Sequence, residues 1–326
     1  MGVSFPRRRF LQLAAAAALP IAPQAARAEA FPTRPLRLMV GFPPGGIGDI
    51  ITRMLALPLQ DRLGQPVVVE NRSGAGGNVA TEYVVRSAPD GYTLMCSGPF
   101  NTINATLYDN LSFDYIRDIA MVASVMRGPL VMAIDPSLRV TSVADFITYA
   151  KANPDKVNMA SSGNGTAPHL AGELFSMMTG VKMVHVPYRG DGPSLADVVS
   201  GQLQVVFANL PPAIGHIRAG RLRALAVTTT TRSPALPYTP PLSDTVPGYD
   251  VDIWYGLGAP KATPPQMIAT LNAAINACVA DPAFAARLAD FGTEPMRLSP
   301  QAFDAFVSAD AAKWASVVKF SGARVD

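Results

Sequence analysis

Two short stretches concentrate the residue types that bind an anion. The first is Gly41-Phe42-Pro43-Pro44-Gly45-Gly46-Ile47-Gly48-Asp49, and the second is Ser161-Ser162-Gly163-Asn164-Gly165-Thr166-Ala167-Pro168-His169. In each, glycines and prolines separate a strand-like apolar run from apolar residues at helical spacing. The first N–H groups of a helix have no partner inside it, and the aligned peptide dipoles leave that end partly positive. Glycines let a carboxylate or phosphate approach the bare backbone. The candidate contacts are therefore Phe42, Pro44, Gly45, Gly46 and Asp49 in the first turn. In the second they are Ser161, Ser162, Asn164, Gly165, Thr166 and His169, whose hydroxyls add donors that a plain corner does not need. A third loop, Pro187 to Pro193, contributes Tyr188, Arg189, Gly190 and Asp191, while Ser97, Asn101 and Asn209 stand at or just beyond the ends of other strand-like runs. One glycine turn on its own is more often an ordinary corner. Two of the same kind point to a shared negative guest.

Other chemistries find less support. No G-x-S-x-G elbow occurs, and only His169, His185 and His216 could serve a Ser-His arrangement, so catalysis is not expected. His169 and Glu173 have a spacing that can hold a metal, but no third ligand accompanies them; a hydrogen bond at the helix start is expected instead. Gly74 to Gly77 invites a dinucleotide reading that fails at Val79, where the third glycine should stand. No cofactor is expected. Asp49 complements the positive end of its helix. Asp191 either pairs with a ligand ammonium or shapes its turn, and Phe42 and Tyr188 either pack on a ligand's carbon skeleton or join the core. Trp254 belongs to the core or a hinge. Cys96 and Cys278 are expected as buried small hydrophobes, with a disulfide between them left open.

The elements that must position these turns alternate strand and helix, which argues for parallel sheets covered by helices. Strands are predicted at Leu36–Val40, Val67–Glu70, Tyr92–Cys96 and Met121–Val125, and the alternation restarts after Pro129 with Leu130–Ile134, Val157–Ser161, Lys182–Val186 and Gln204–Ala208. A strand at Asp250–Gly258 returns to the first half, and the C-terminal part is helical. The expected division is residues 31–128 plus 251–326 in one domain and 129–250 in the other. Ligands of open parallel sheets bind beyond the carboxyl ends of the strands, so two such edges facing each other make a cleft. Residues 1–30 read as an export signal of twin-arginine type. Arg7 and Arg8 are followed by Phe10-Leu11, then an alanine-rich run, with cleavage near Ala28 or Ala30. The formal charge of +3 depends on Arg7, Arg8, Arg9 and Arg27; without them basic and acidic counts are level to within one, so no nucleic-acid partner is implied.

Several segments in order resemble the periplasmic receptors of tripartite tricarboxylate transporters, the Bug or TctC-like family. They are Gly41 to Gly46 with Asp49; Glu70-Asn71-Arg72-Ser73-Gly74-Ala75-Gly76-Gly77; Pro89-Asp90-Gly91-Tyr92-Thr93-Leu94; Gly163 to Thr166 with His169 and Glu173; Val186 to Gly190; and Trp254-Tyr255-Gly256-Leu257 before Ala259-Pro260. The resemblance covers roughly residues 35 to 326. It implies an α/β class II periplasmic-binding-protein clamshell with a two-strand hinge, monomeric and exported to the periplasm. It further implies a small organic carboxylate held in the cleft and delivered to membrane permease subunits. One ligand carboxylate would meet backbone groups from Phe42 to Gly46, the other domain supplying Ser161 to Thr166, His169 and Tyr188 to Asp191. The chain departs from the family at Asn209, where an aspartate is common, and at Ser97-Gly98-Pro99-Phe100, positions on which ligand choice would depend. A sensory adaptor for a receptor kinase and a periplasmic hydrolase are the alternatives.

Overall fold

The computed structural model describes residues 31–323, and the expected export signal lies outside them. The chain alternates β1 (Leu36–Val40), α1 (Ile47–Leu63), β2 (Val67–Asn71), α2 (Asn78–Val85), β3 (Thr93–Ser97), α3 (Pro99–Leu107), the single turn α4 (Tyr115–Asp118) and β4 (Ile119–Ile134). It continues with α5 (Val143–Ala152), β5 (Asn158–Ser161), α6 (Ala167–Thr179), β6 (Val184–Pro187), α7 (Asp191–Val199), β7 (Val205–Asn209), α8 (Leu210–Arg218) and β8 (Arg223–Val227). The last elements are β9 (Asp252–Pro260), α9 (Pro265–Val279), α10 (Pro282–Asp290), β10 (Glu294–Pro295) and α11 (Pro300–Ser321).

The strands lie in the order β2-β1-β3-β9-β4-β7-β5-β6, with β8 and β10 also on β4. β1, β2 and β3 run parallel, and so do β5, β6 and β7. Their carboxyl ends therefore gather on two edges. One carries the turns after Val40, Asn71 and Ser97, and the other those after Ser161, Pro187 and Asn209.

β4 joins the two halves. It pairs with β9 from Ile119 to Pro129, then with β7 and β8 from Leu130 onward. Two strands were expected here, broken around Arg127-Gly128-Pro129, and the structure has one unbroken strand instead. The reason is burial on both faces. Of its 16 residues only Arg127 is exposed, so nearly every side chain has apolar neighbours to hold it in line. A side chain at Gly128 would press on Thr293, which explains the small residue at that point. The core of the first half gathers Met39, Met95, Trp254 and Phe303; that of the second gathers Val131, Val206, Leu195 and Leu210. Cys96 and Cys278 are buried free thiols on β3 and α9.

Candidate ligand-binding site

α1 begins without a side-chain cap. Its N-cap residue is Gly46, and both Gly45 and Gly46 are exposed. Asp49, in the first helical turn, points back into the corner: Gly45 N–H donates to Oδ2 at 2.9 Å, and Asn71 Nδ2 and Arg53 Nε each donate to Oδ1 at 2.9 Å. Asn71 Nδ2 also donates to the Phe42 carbonyl at 2.9 Å. Burial alone would raise the Asp49 pKa, but the hydrogen bonds from Arg53, Gly45 and Asn71 outweigh it and hold the carboxyl below its ordinary value. The carboxylate thus takes the Gly45 amide and stiffens the turn, while the helix start that follows Gly46 has no side-chain cap. Phe42 packs edge-on against Phe100, with ring centroids 4.9 Å apart, beside Gly77. Pro43 and Pro44 are exposed beside it.

The second turn is built differently. Thr166 caps α6 by accepting from His169 N–H, and its hydroxyl donates to the Gly163 carbonyl at 2.7 Å. Gly165 N–H donates to His169 Nδ1 at 3.1 Å, which fixes the proton on Nε2, 3.7 Å from Glu173. His169 and His185 stack with centroids 3.8 Å apart, and His185 Nε2 lies 2.6 Å from Ser161 Oγ. Burial, and then the neighbouring His185, push His169 down to about 3; burial takes His185 down to about 4. Burial also raises Glu173. Both rings are therefore neutral near pH 7. The expected pair of bare helix starts is corrected here, because this helix start gives its amides to its own side chains. The Ser161–His185 contact has the first two members of a nucleophilic triad, but Ser161 is fully buried and its Oγ also accepts from Gly163 N–H at 3.2 Å. It shapes the turn.

The bare start on this side is α7, whose N-cap Gly190 offers no side chain. Gly190 N–H and Tyr188 N–H donate to the carbonyls of Ser162 and Ser161, tying the two loops together. Asp191, half-buried at the head of α7, accepts Asn209 Nδ2 at 2.8 Å and Asn209 N–H at 3.3 Å; burial raises its pKa, partly offset by Asn209. Arg189 and Asn164 are exposed, and Ser162 is half-buried with its hydroxyl 3.4 Å from that of Thr166.

Further expected ligand contacts turn inward, as Asp49 and Ser161 do. Asn101 caps α3, taking Gly98 N–H on Oδ1 at 3.0 Å and donating to Thr81 at 3.0 Å. Ser97 is fully buried, with its hydroxyl against Gly258 of β9. The Tyr188 ring joins the second core, and its hydroxyl donates to Asp197 at 2.5 Å. Helix α3 itself was not expected, and it brings forward two residues that sequence reasoning missed. Asn104 and Leu107 reach the second edge: a β-carbon on Gly165 would collide with Leu107 Cδ2 and lie 3.8 Å from Asn104 Oδ1. The two edges meet at this point.

A double α/β sheet joined through β4, with ligand-ready turns on adjoining edges, is the two-domain fold of a solute-binding protein. Residues 51–322 match the tripartite tricarboxylate transporter family receptor, TctC, and the chain belongs to that family. Protein BugT of Bordetella pertussis is 36% identical over 301 residues, covering 91% of this chain and 92% of BugT. The structure of Rpa4515 from R. palustris with adipate superposes with a TM-score of 0.84 at 37% identity, covering 90% of this chain and all of that one. MatC from Rhodopseudomonas palustris with bound malate gives 0.80 at 29% identity, covering 88% of this chain and all of that one.

Proposed function

We propose that the mature chain is a periplasmic receptor that binds a small organic carboxylate between its two domains and delivers it to the permease subunits of a tripartite tricarboxylate-type transporter. The observation that carries this is the uncapped start of α1. Its exposed Gly45-Gly46 corner is stiffened from behind by Asp49, and it faces an edge whose imidazoles are neutral. The carboxylate sits at the α1 amides, where the helix dipole favours negative charge. The Asp191 end of the cleft receives the uncharged or donor-bearing part of the ligand. The domains are 31–128 plus 251–326 and 129–250, hinged where β4 changes partners and where the chain enters β9. Relatives solved with adipate and malate support the ligand class. A charge-assisted hydrogen bond contributes about 1.5–3 kcal/mol. Three or four of them, offset by ordering costs, reach the roughly −8 kcal/mol of micromolar binding.

A thermal-shift screen across organic acids and their amides tests the assignment. Acids that bind the native state raise the melting temperature, and the amides of the same skeletons do so far less. Equal shifts from acids and amides would refute carboxylate recognition, and product formation from esters would indicate a hydrolase.

A further inference from the structure

Just beyond Phe42, three uncharged polar side chains of the first domain each keep one polar atom without a hydrogen-bond partner among the described residues. Asn104 Nδ2 donates to the Gly76 carbonyl at 2.9 Å and to Asn78 Oδ1 at 3.0 Å. The Gly76 carbonyl can only accept, so it fixes which end of the Asn104 amide carries hydrogen, and Asn104 in turn fixes Asn78. Asn78 is 6% exposed, and its Nδ2 is left as a buried donor without a partner. Asn104, 3% exposed, is left with Oδ1 as an acceptor that receives no hydrogen bond among the described residues, on the side where Gly165 of the other domain closes in. The Tyr108 hydroxyl stands over Gly76, 3.0 Å from where a β-carbon there would lie, and makes no hydrogen bond among the described residues. Of the three atoms Asn78 Nδ2 is the fully buried one, and such a group left without a partner costs about 1–3 kcal/mol, which a ligand can recover.

Together these features specify a chemistry. A carboxylate has acceptors only, so it would satisfy Asn78 Nδ2 but set an oxygen against Asn104 Oδ1. A hydroxyl both accepts and donates, and it complements the neighbouring donor and acceptor at once. We propose that Asn78 and Asn104, with Tyr108, form a hydroxyl-reading subsite, and that the preferred ligand is a hydroxy acid whose carboxylate lies at the α1 start and whose hydroxyl lies against the two amides. This rests on the carboxylate-receptor reading and adds the skeleton's substituent to it. Sites built to bond a hydroxyl reject the analogue that lacks one, because their own polar groups are then stranded.

The test uses matched acids that differ by a single hydroxyl, malate against succinate and 3-hydroxyadipate against adipate, titrated calorimetrically into the full mature chain. The wild type is expected to bind the hydroxylated member of at least one pair about tenfold or more tighter. Asn78→Asp replaces the stranded donor by an acceptor with little change of shape; its added charge weakens both acids of a pair, so the readout is their ratio, which is expected to fall to about one. Asn78→Ser, which can still donate, is expected to retain part of the preference and guards against a variant that does not fold. A wild type that binds these acids without regard to the hydroxyl, or an unchanged ratio in Asn78→Asp, overturns the subsite and leaves the receptor reading standing. A wild type that binds no carboxylic acid in the screen overturns both.

Discussion

His169 and His185 show how single residues set the character of the site. A protonated imidazole would be the obvious anchor for an anion, yet both rings are held neutral by burial, His169 also by its neighbour, and one nitrogen of each is committed to Gly165 N–H or to Ser161. Ligand affinity should therefore stay flat from pH 8 down to about 5.5, where a titrating histidine anchor would make it rise. Stability behaves otherwise. In the unfolded chain each imidazole titrates near 6.5, whereas in the folded chain the two do so at about 3 and about 4. The stabilisation is complete above pH 6.5. It falls as the pH drops from there to about 4, because only the unfolded state takes up protons in that window. The limiting slope is about 1.4 kcal/mol per pH unit for each ring. Urea unfolding between pH 7 and 4 should show this decline, and His169→Gln and His185→Gln should each flatten it. Equal slopes in all three proteins would mean that the rings are charged in the native state.

Among the elements, α11 carries the most consequence for the site without touching it. It packs along α3, α6 and β4, so it spans both halves. Asp310, 5% exposed, gives it a fixed seat: Oδ2 accepts Thr102 Oγ1 of α3 at 2.7 Å and Trp254 Nε1 of β9 at 3.0 Å, with Lys313 Nζ 3.4 Å from Oδ1. Asp310→Asn keeps an oxygen for both donors and should cost about 1 kcal/mol, the difference between charged and neutral acceptors. Asp310→Leu strands Trp254 Nε1 and leaves the Thr102 hydroxyl only the Pro99 carbonyl at 2.8 Å, and should cost about 3 kcal/mol. Chemical denaturation of the two variants checks the order, and equal losses would mean that packing alone seats the helix. Much of this framework was legible in the sequence. β1, α1 and α9 follow from apolar spacing, and the residues at helical spacing after the first glycine turn form one helix despite Pro58. What escaped is the part where polar residues are interior. α3 begins Pro99-Phe100-Asn101-Thr102 and reads as a loop, yet Asn101, Thr102 and Asn104 are all buried with partners supplied by distant segments. Tyr188 was ambiguous because only the fold places Asp197 opposite its hydroxyl. The two glycine turns looked equivalent because a capping threonine and a cooperating histidine resemble free ligand donors until their hydrogen bonds are seen.

At the scale of the whole receptor, the proposed capture between domains requires the two edges to meet over the ligand, and the structure has them touching at Gly165 and Leu107. Gly165 has φ +70, and a methyl group there would strike Leu107 Cδ2, whereas a receptor with its edges parted would leave that methyl in open space. A ligand shifts the population toward the closed form only by the difference in its affinity for the two states. Gly165→Ala should thus penalise binding beyond its effect on folding. The left-handed backbone alone costs about 1–2 kcal/mol of stability. The collision should additionally weaken the tightest acid from the screen about tenfold or more, with the ligand-induced decrease in radius of gyration reduced in small-angle scattering. Gly165→Ala/Leu107→Ala separates the two effects, since it keeps the backbone strain but removes the obstructing side chain. It should recover most of the affinity while remaining as destabilised as the single variant. If Gly165→Ala binds as tightly as the wild type, or if the double variant recovers nothing, the seam between these two residues is not the contact on which closure depends.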